Sequence, residues 1–433
     1  MHQRRLGFVA ASMVFLSLPA QARDVVSVGA GGRLVEDSFF GMHVRYGASK
    51  MHWPDVRFHS WRVISPGTAW FGLQPKKEEW NFVELDRAIK VAEQHGTEVL
   101  LTLGQTPAWA AARPHEVVPN GAGASSEPAQ IEDWERYIRT VARRYKGRIK
   151  HYELWNEPRF REVDPYRAVP GFTGYATQLV ELGRVAKRVL AEEDPAATLI
   201  SPALDGSLQR VEQWFRSGGA SVASVLAHHF YVRPPERMVA LYRKLKAIGQ
   251  RYGVADMPIW NTESGYYVHN PEKPVVPVRP GSDDVFAKVL TPDELAAYLV
   301  RAHVLMAAAG LDRFYWYSWD IQDMGLTRSF GKTPMIGSVA YRTLLGWLRG
   351  TTVDRCVTQN DKLWTCDLRR EGKVAYVVWN VDDDAIFNIP GYMSVGEIET
   401  IDGKTAPVHD RAIHVGITPL LLKSKGTAWV ARH

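Results

Sequence analysis

Residues 149–157 read Ile-Lys-His-Tyr-Glu-Leu-Trp-Asn-Glu, a short run of β-forming residues that ends in a carboxylate just before Pro158. Immediately upstream, Ile131, Trp134, Ile138, Val141 and Tyr145 recur at three- and four-residue intervals, the spacing of a helix with one buried stripe. A helix followed by a short buried strand is half of a βα repeat, and the same texture extends in both directions. Strand-like runs fall at 39–46, 58–65, 98–104, 149–157, 198–204, 224–232, 258–266 and 313–320, with longer helical stretches filling most of the gaps. Two helix starts carry capping-box patterns, Asn81-Phe-Val-Glu84 and Thr291-Pro-Asp-Glu294, the second with proline in the first turn. Eight such strands predict an α/β fold, a (β/α)8 TIM barrel over 39–350. The first unit departs from the pattern, because too few residues separate its two strands for more than a very short helix.

Beyond Gly350 the period changes. Leu363-Trp-Thr-Cys-Asp-Leu368 and Val374-Ala-Tyr-Val-Val-Trp379 alternate in the manner of strands, and no helical stripe follows. A small antiparallel, sandwich-like β domain is expected over 351–433, with the segment 23–38 positioned to lend it a strand. Cys356 and Cys366, the only cysteines, flank Gln359-Asn-Asp361 and predict a cross-strand disulfide if the chain is exported.

Export is what the first residues imply. Met1-His-Gln-Arg-Arg5, an apolar run from Leu6 to Leu18 and Pro19-Ala-Gln-Ala22 read as the n-region, h-region and cleavage site of a signal peptide over 1–22. That run is shorter than the ~20 residues needed to span a bilayer. A periplasmic or secreted protein with no membrane span after processing is the expectation. The formal charge of +6 becomes +4 without Arg4 and Arg5, and no block of five basic residues appears, so a nucleic-acid partner is not implied. The sequence leaves the oligomeric state open.

Reactive groups of a βα barrel come from the C-terminal ends of its strands. Glu157 ends the fourth strand and Glu263 ends the seventh, in Pro258-Ile-Trp-Asn-Thr-Glu-Ser-Gly265. Breaking a glycosidic bond requires a proton for the leaving oxygen and a second carboxylate on the opposite face of the sugar ring, and two glutamates from the fourth and seventh strands supply both. Glu153 shares a face with Glu157 but lies deeper, where a structural pairing is expected. There is no His-Glu-x-x-His, no Gly-x-Ser-x-Gly and no phosphate-cradling glycine loop, which removes zinc-peptidase, serine-esterase and nucleotide-transfer chemistries. Neither a cofactor nor a metal is expected, because the adjacent His228 and His229 point to opposite faces of a strand.

Trp155-Asn156-Glu157-Pro158 and Thr262-Glu263-Ser264-Gly265 resemble the paired motifs of clan A (β/α)8 retaining glycoside hydrolases. Trp80-Asn-Phe-Val-Glu-Leu-Asp86, Thr106-Pro-Ala-Trp-Ala110 and His228-His-Phe-Tyr231 bring the likeness nearest to glycoside hydrolase family 39, of the type associated with bacterial exopolysaccharide operons. The resemblance implies Glu157 as acid/base, Glu263 as nucleophile and Asn156 as the donor to the sugar 2-hydroxyl. It implies Arg62 as the cation beside the nucleophile, and a tryptophan, Trp316 or Trp319, on the eighth strand against the sugar. Alternation places His229 and Tyr231 on one face, where they are expected to hydrogen-bond to the nucleophile, and Trp109, Tyr266 and Tyr267 are candidates for subsite walls. The long connections 111–130 and 268–290 are expected to wall a cleft for a polysaccharide, with internal cleavage favoured over terminal. The same residues fit a transglycosylase, and a barrel that only binds carbohydrate is the alternative from a different functional class.

Overall fold

The computed structural model describes residues 24–26, 32–47, 52–165, 171–278, 280–282, 284–382, 384–425 and 429. The signal-like segment 1–22 lies outside the described residues. Eight parallel strands form one sheet: Phe40–Met42, Ser60–Val63, Glu98–Thr102, His151–Glu153, Thr198–Ile200, Leu226–His229, Ile259–Glu263 and Arg313–Trp316. Each lies inside one of the eight runs read from the sequence. The first strand pairs with both the second and the eighth, so the sheet curls on itself. Only the seam between the fifth and sixth strands lacks a regular ladder. Pro202 has no N–H to donate there; the seam is instead crossed where Ala227 N donates to the Ser201 hydroxyl (2.8 Å) and His229 N donates to Leu204 O (2.7 Å). The result is a barrel closed by irregular contacts.

Helices Val83–Gln94, Ile131–Arg144, Ala176–Glu193, Leu208–Arg216, Arg237–Arg251, Pro292–Ala309 and Ile336–Leu348 surround it. Trp134, Ile138, Val141 and Tyr145 are buried, as their spacing requires. Pro292–Ala309 starts with the expected box: Thr291 Oγ1 accepts from Glu294 N (3.1 Å) and Glu294 Oε2 accepts from Thr291 N (2.8 Å). The other expected box does not form. Val83–Gln94 begins after Phe82, Asn81 Oδ1 accepts only from Val83 N, and Glu84 turns away to take the Ser65 hydroxyl. Tertiary competition for the Glu84 carboxylate decides the outcome. Between the first two strands no helix is found among the described residues.

The barrel interior is layered because alternate residues of each strand point inward. Leu100, Ile200, Val225, Ala227, Trp260 and Tyr315 make an apolar plug, sealed where Ser60 and Tyr315 share a hydrogen bond (2.8 Å). One step further along their strands, Arg62, Thr102, Glu153 and Tyr317 replace apolar side chains with polar ones. This change of layer floors the site.

The C-terminal strands form an antiparallel sheet ordered Asp24–Val26, Thr351–Gln359, Leu363–Arg370, Lys373–Asn380, Leu420–Lys423, Glu397–Thr400 and Thr405–Pro407, with Arg33–Val35 also pairing on Thr351–Gln359. Cys356 and Cys366 face each other across the first hairpin and are joined as a disulfide. Asn360 and Asp361 turn that hairpin with φ of 53° and 56°, a conformation these two residue types tolerate. The sheet meets the barrel through Glu236, whose carboxylate accepts from Arg301 (2.8 and 2.7 Å) and from the Trp379 indole (2.9 Å). No helix among the described residues is long and apolar enough to cross a membrane.

Candidate active site

Glu157 and Glu263 converge at the C-terminal mouth of the barrel. Carboxylate oxygens of the two and the His229 ring nitrogen lie within 4.8 Å of one another. Glu157, four residues beyond the strand His151–Glu153, takes a left-handed conformation, φ 45°, held by a hydrogen bond from its own N to Ala203 O (2.9 Å). A non-glycine residue in that region is strained, and the strain aims the side chain over the mouth. Two glycines permit the geometry. A Cβ on Gly171 would stand 1.7 Å from Glu157 O, and one on Gly265 would stand 1.9 Å from Tyr317 O. The glycine two residues after Glu263 is therefore required by the backbone of the eighth strand.

Arg62 organises the floor. Its guanidinium, wholly buried, donates from Nε to Glu153 (2.8 Å), from Nη2 to Glu153 and to Asn156 Oδ1 (2.7 Å), and from Nη1 to Glu263 Oε2 (2.7 Å). Burial opposes its charge, but Glu153 and Glu263 outweigh burial and raise its pKa. Glu153 is fully buried and also takes the Thr102 hydroxyl (2.8 Å), the structural pairing expected of the deeper carboxylate. Asn156 commits its oxygen to Arg62, and its N–H2 has no hydrogen-bond partner among the described residues.

Tyr231 donates to Glu263 Oε1 (2.8 Å), so each oxygen of Glu263 receives one donor. Burial, with Glu263 beside it, raises the Tyr231 phenol well above its usual range and keeps it a donor. His229 departs from expectation. Its Nδ1 hydrogen-bonds to Glu157 (2.9 Å) and stands 4.0 Å from Glu263. A register shift in the ladder between His228 and His229 swings the ring toward the fourth strand. Burial works to lower the His229 pKa, yet the Glu263 charge and the Glu157 hydrogen bond raise it overall. His228 faces away toward Phe230, and burial brings it down to about 4.

Four aromatic candidates lie elsewhere. Trp316 is fully buried behind the barrel wall against His303, Phe314 and Tyr266. Trp319 is also buried, its backbone bridging His43 and Thr327. Tyr266 is buried against Tyr298 with its hydroxyl on Val232 O (2.9 Å). Trp109 gives its indole N–H to Gln74 O (2.9 Å) and rests edge-on against Trp70. Tyr267 is half-buried against Phe286 of the 268–290 loop, which also touches Tyr231. Counting alternation on the aromatic eighth strand left the inward position open between Trp316 and Trp319; it belongs to Tyr317 between them.

Sequence reasoning also missed the wall supplied by the first strand. A cavity of about 140 Å³ beside Glu263 is lined by His43, Val44, Arg45, Arg62, Ile64, Asn156, Glu263 and Tyr317. His43 packs edge-on against Tyr317 (4.9 Å) and donates from Nε2 to Thr262 O (2.8 Å). Burial and Arg62 lower its pKa well below the usual value, so the ring is neutral. The available signal was position: His43 is the first polar side chain after the buried Phe40–Met42.

Among the described residues, Glu157, His229 and Glu263 are the group whose ligand atoms are near enough to share a cation. The Arg62 guanidinium, ion-paired to Glu263, already supplies this group with a cation.

The chain matches the sequence model of Glycosyl hydrolase family 10 over residues 62–190. It is 23% identical over 276 residues to Endo-1,4-beta-xylanase 2 of Claviceps purpurea, covering 57% of this chain and 79% of the relative. In fold it is similar to a family 39 glycoside hydrolase of Bacteroides cellulosilyticus WH2 (TM-score 0.66, 18% identity, 91% of this chain and 82% of the other). It is also similar to a GH39 enzyme of Xanthomonas axonopodis pv. citri (0.59, 12%, 91% and 96%) and to a GH30 endoxylanase of Clostridium papyrosolvens C71 (0.54, 13%, 93% and 100%). The likeness in sequence is thus to family 10, and the likeness in fold to family 39 and family 30 glycoside hydrolases.

Proposed function

We propose that the protein is a retaining glycoside hydrolase that cleaves a polysaccharide by double displacement. The observation that carries this reading is the approach of Glu157 and Glu263 to within 4.8 Å. Retaining pairs stand ~5–5.5 Å apart, whereas inverting pairs need ~6.5–9.5 Å to admit a water between them.

Glu263, fixed by Arg62 and Tyr231, attacks the anomeric carbon as the bond to the leaving oxygen breaks, and Glu157 gives that oxygen its proton. A glycosyl ester on Glu263 results. Glu157, now a carboxylate, removes a proton from water, the water oxygen bonds to the anomeric carbon, and Glu263 leaves as the anion. The greater exposure of Glu157, 25% of its side chain against 13% for Glu263, suits a group that must meet both the leaving group and water. His229 shares a proton with Glu157 and positions it. Asn156 holds the 2-hydroxyl through its free N–H2.

The substrate is proposed to be a bacterial exopolysaccharide, an extension of the motif resemblance, and cleavage to be internal, in keeping with the endo-acting xylanases among the relatives. The disulfide supports an exported, periplasmic or secreted protein. Incubation with activated 2-fluoro glycosides tests the reading. A single covalent adduct on the peptide that contains Glu263 is expected, whereas labelling elsewhere, or turnover with an inverted product, overturns it.

A further inference from the structure

We propose that the sugar bound in the cavity beside Glu263 carries a carboxylate, and that Arg45 recognises it. The proposal rests on the glycosidase reading and adds the chemical class of the glycone. Glu157 is absent from the lining of that cavity, while Glu263, Arg62 and Asn156 form part of it. The leaving group sits over the acid, so the cavity on the far side of Glu263 receives the glycone.

Two guanidiniums line this space, and their commitments differ. Arg62 is matched by Glu153 and Glu263. Arg45 has no carboxylate within ion-pair distance among the described residues, although its position is well fixed. Asp320 receives the backbone N–H groups of Arg45 and Tyr46 (2.8 Å each), which occupies both Asp320 oxygens, and Arg45 Nη1 donates to Ile64 O (2.9 Å). A guanidinium has five N–H donors in a rigid fork. Here one is spent on anchoring, and the rest stay at the rim of a sugar-sized cavity whose other walls are the neutral His43 ring and Tyr317. A paired, planar acceptor such as a carboxylate is the group this fork matches bidentately. Arg45 is solvent-exposed at this rim, and the two backbone bonds to Asp320 with the Ile64 carbonyl anchor hold its exposed guanidinium there.

The test compares three aryl glycosides of one anomeric series: a neutral hexoside, the uronide oxidised at C6, and the hexoside bearing a pyruvyl ketal. Each is measured with wild type, Arg45→Ala and Arg45→Lys at low and high salt. Wild type is expected to favour one acidic member over the neutral one by at least tenfold in kcat/KM. Arg45→Ala should abolish that preference, Arg45→Lys should keep part of it, and salt should reduce it. Which acidic member is preferred separates a ring carboxylate from an appended one. Equal or better turnover of the neutral hexoside by wild type, or an acidic preference that survives Arg45→Ala, overturns the proposal and leaves the glycosidase reading standing. If no sugar labels Glu263, the glycosidase reading fails, and NMR titration of the free uronate and hexose against wild type and Arg45→Ala still decides the proposal. Uronate binding that depends on Arg45 supports it, and indifference to the substitution overturns it.

Discussion

The two ends of the barrel hold clusters of the same residue types and use them differently. At the N-terminal end, Glu98 Oε2 meets His59 (3.1 Å), His151 (3.3 Å) and Arg313 (3.0 Å), and Arg313 lies over the Trp260 ring at 4.4 Å. Glu98, His151 and Arg313 are each the first residue of a strand. At the C-terminal end, Arg62 and His229 stand among Glu153, Glu157 and Glu263. Below, one carboxylate is consumed by three nitrogen partners, two imidazoles and the Arg313 guanidinium. Above, three carboxylates share two partners and border a cavity, which leaves Glu157 accessible to a ligand. The excess of acid over base at one end makes chemistry possible, and its absence at the other makes a clamp.

The largest expected effects come from breaking the upper cluster. Glu263→Gln keeps an oxygen for Arg62, so folding should survive while kcat falls by on the order of 10⁴ or more. Glu157→Gln should cost about 10²–10⁴ on substrates with poor leaving groups and far less on activated aryl glycosides. Steady-state kinetics with a leaving-group series, beside melting curves, checks both, and a variant that kept full rate would remove its residue from the mechanism.

Next in size is the lower clamp. Burial raises the Glu98 pKa, but hydrogen bonds from His151 and His59 and the charge of Arg313 overcome it and hold the carboxyl well below the usual range. A depressed folded pKa contributes stability that is present above the unfolded value of about 4.3 and is lost as pH falls toward the folded one. Glu98→Gln should therefore cost about 1–3 kcal/mol at neutral pH. Its deficit should shrink as the medium becomes more acidic, and turnover should stay at the wild-type level. Denaturant unfolding at several pH values measures this; an undiminished deficit at acid pH would contradict the ionic account.

The smallest effect is a titration. The His229 pKa is raised because the Glu263 charge and the Glu157 hydrogen bond outweigh burial. In Glu263→Gln one of the two is lost and burial remains, so the NMR-observed pKa of His229 should drop relative to wild type, whereas His228 should stay near about 4. No change in His229 would mean that the two ring environments are set independently of Glu263.

Much of this was legible from the chain. The eight runs located every barrel strand, and the ends of the fourth and seventh located both glutamates, because strand periodicity and the parallel sheet fix where a strand's last residue emerges. Arg62, Asn156 and Tyr231 followed from the same rule and from motif resemblance. The tryptophans did not. Trp316 packs against His303 of the helix Pro292–Ala309, outside the barrel wall, while Trp319 lies beyond the strand's end, where alternation no longer governs, and the place beside Glu263 goes to Tyr317.

Composition and local spacing thus determined the barrel, the hairpin disulfide and the emergence of Glu157 and Glu263 at one mouth, since each depends on periodicity within a few residues. Tertiary structure alone decided that His229 meets Glu157, that Glu84 leaves its helix start for Ser65, and that Arg45 reaches the mouth with no carboxylate at ion-pair distance of its guanidinium among the described residues. Those outcomes depend on bulges and on competition between groups far apart in sequence, which no local pattern encodes.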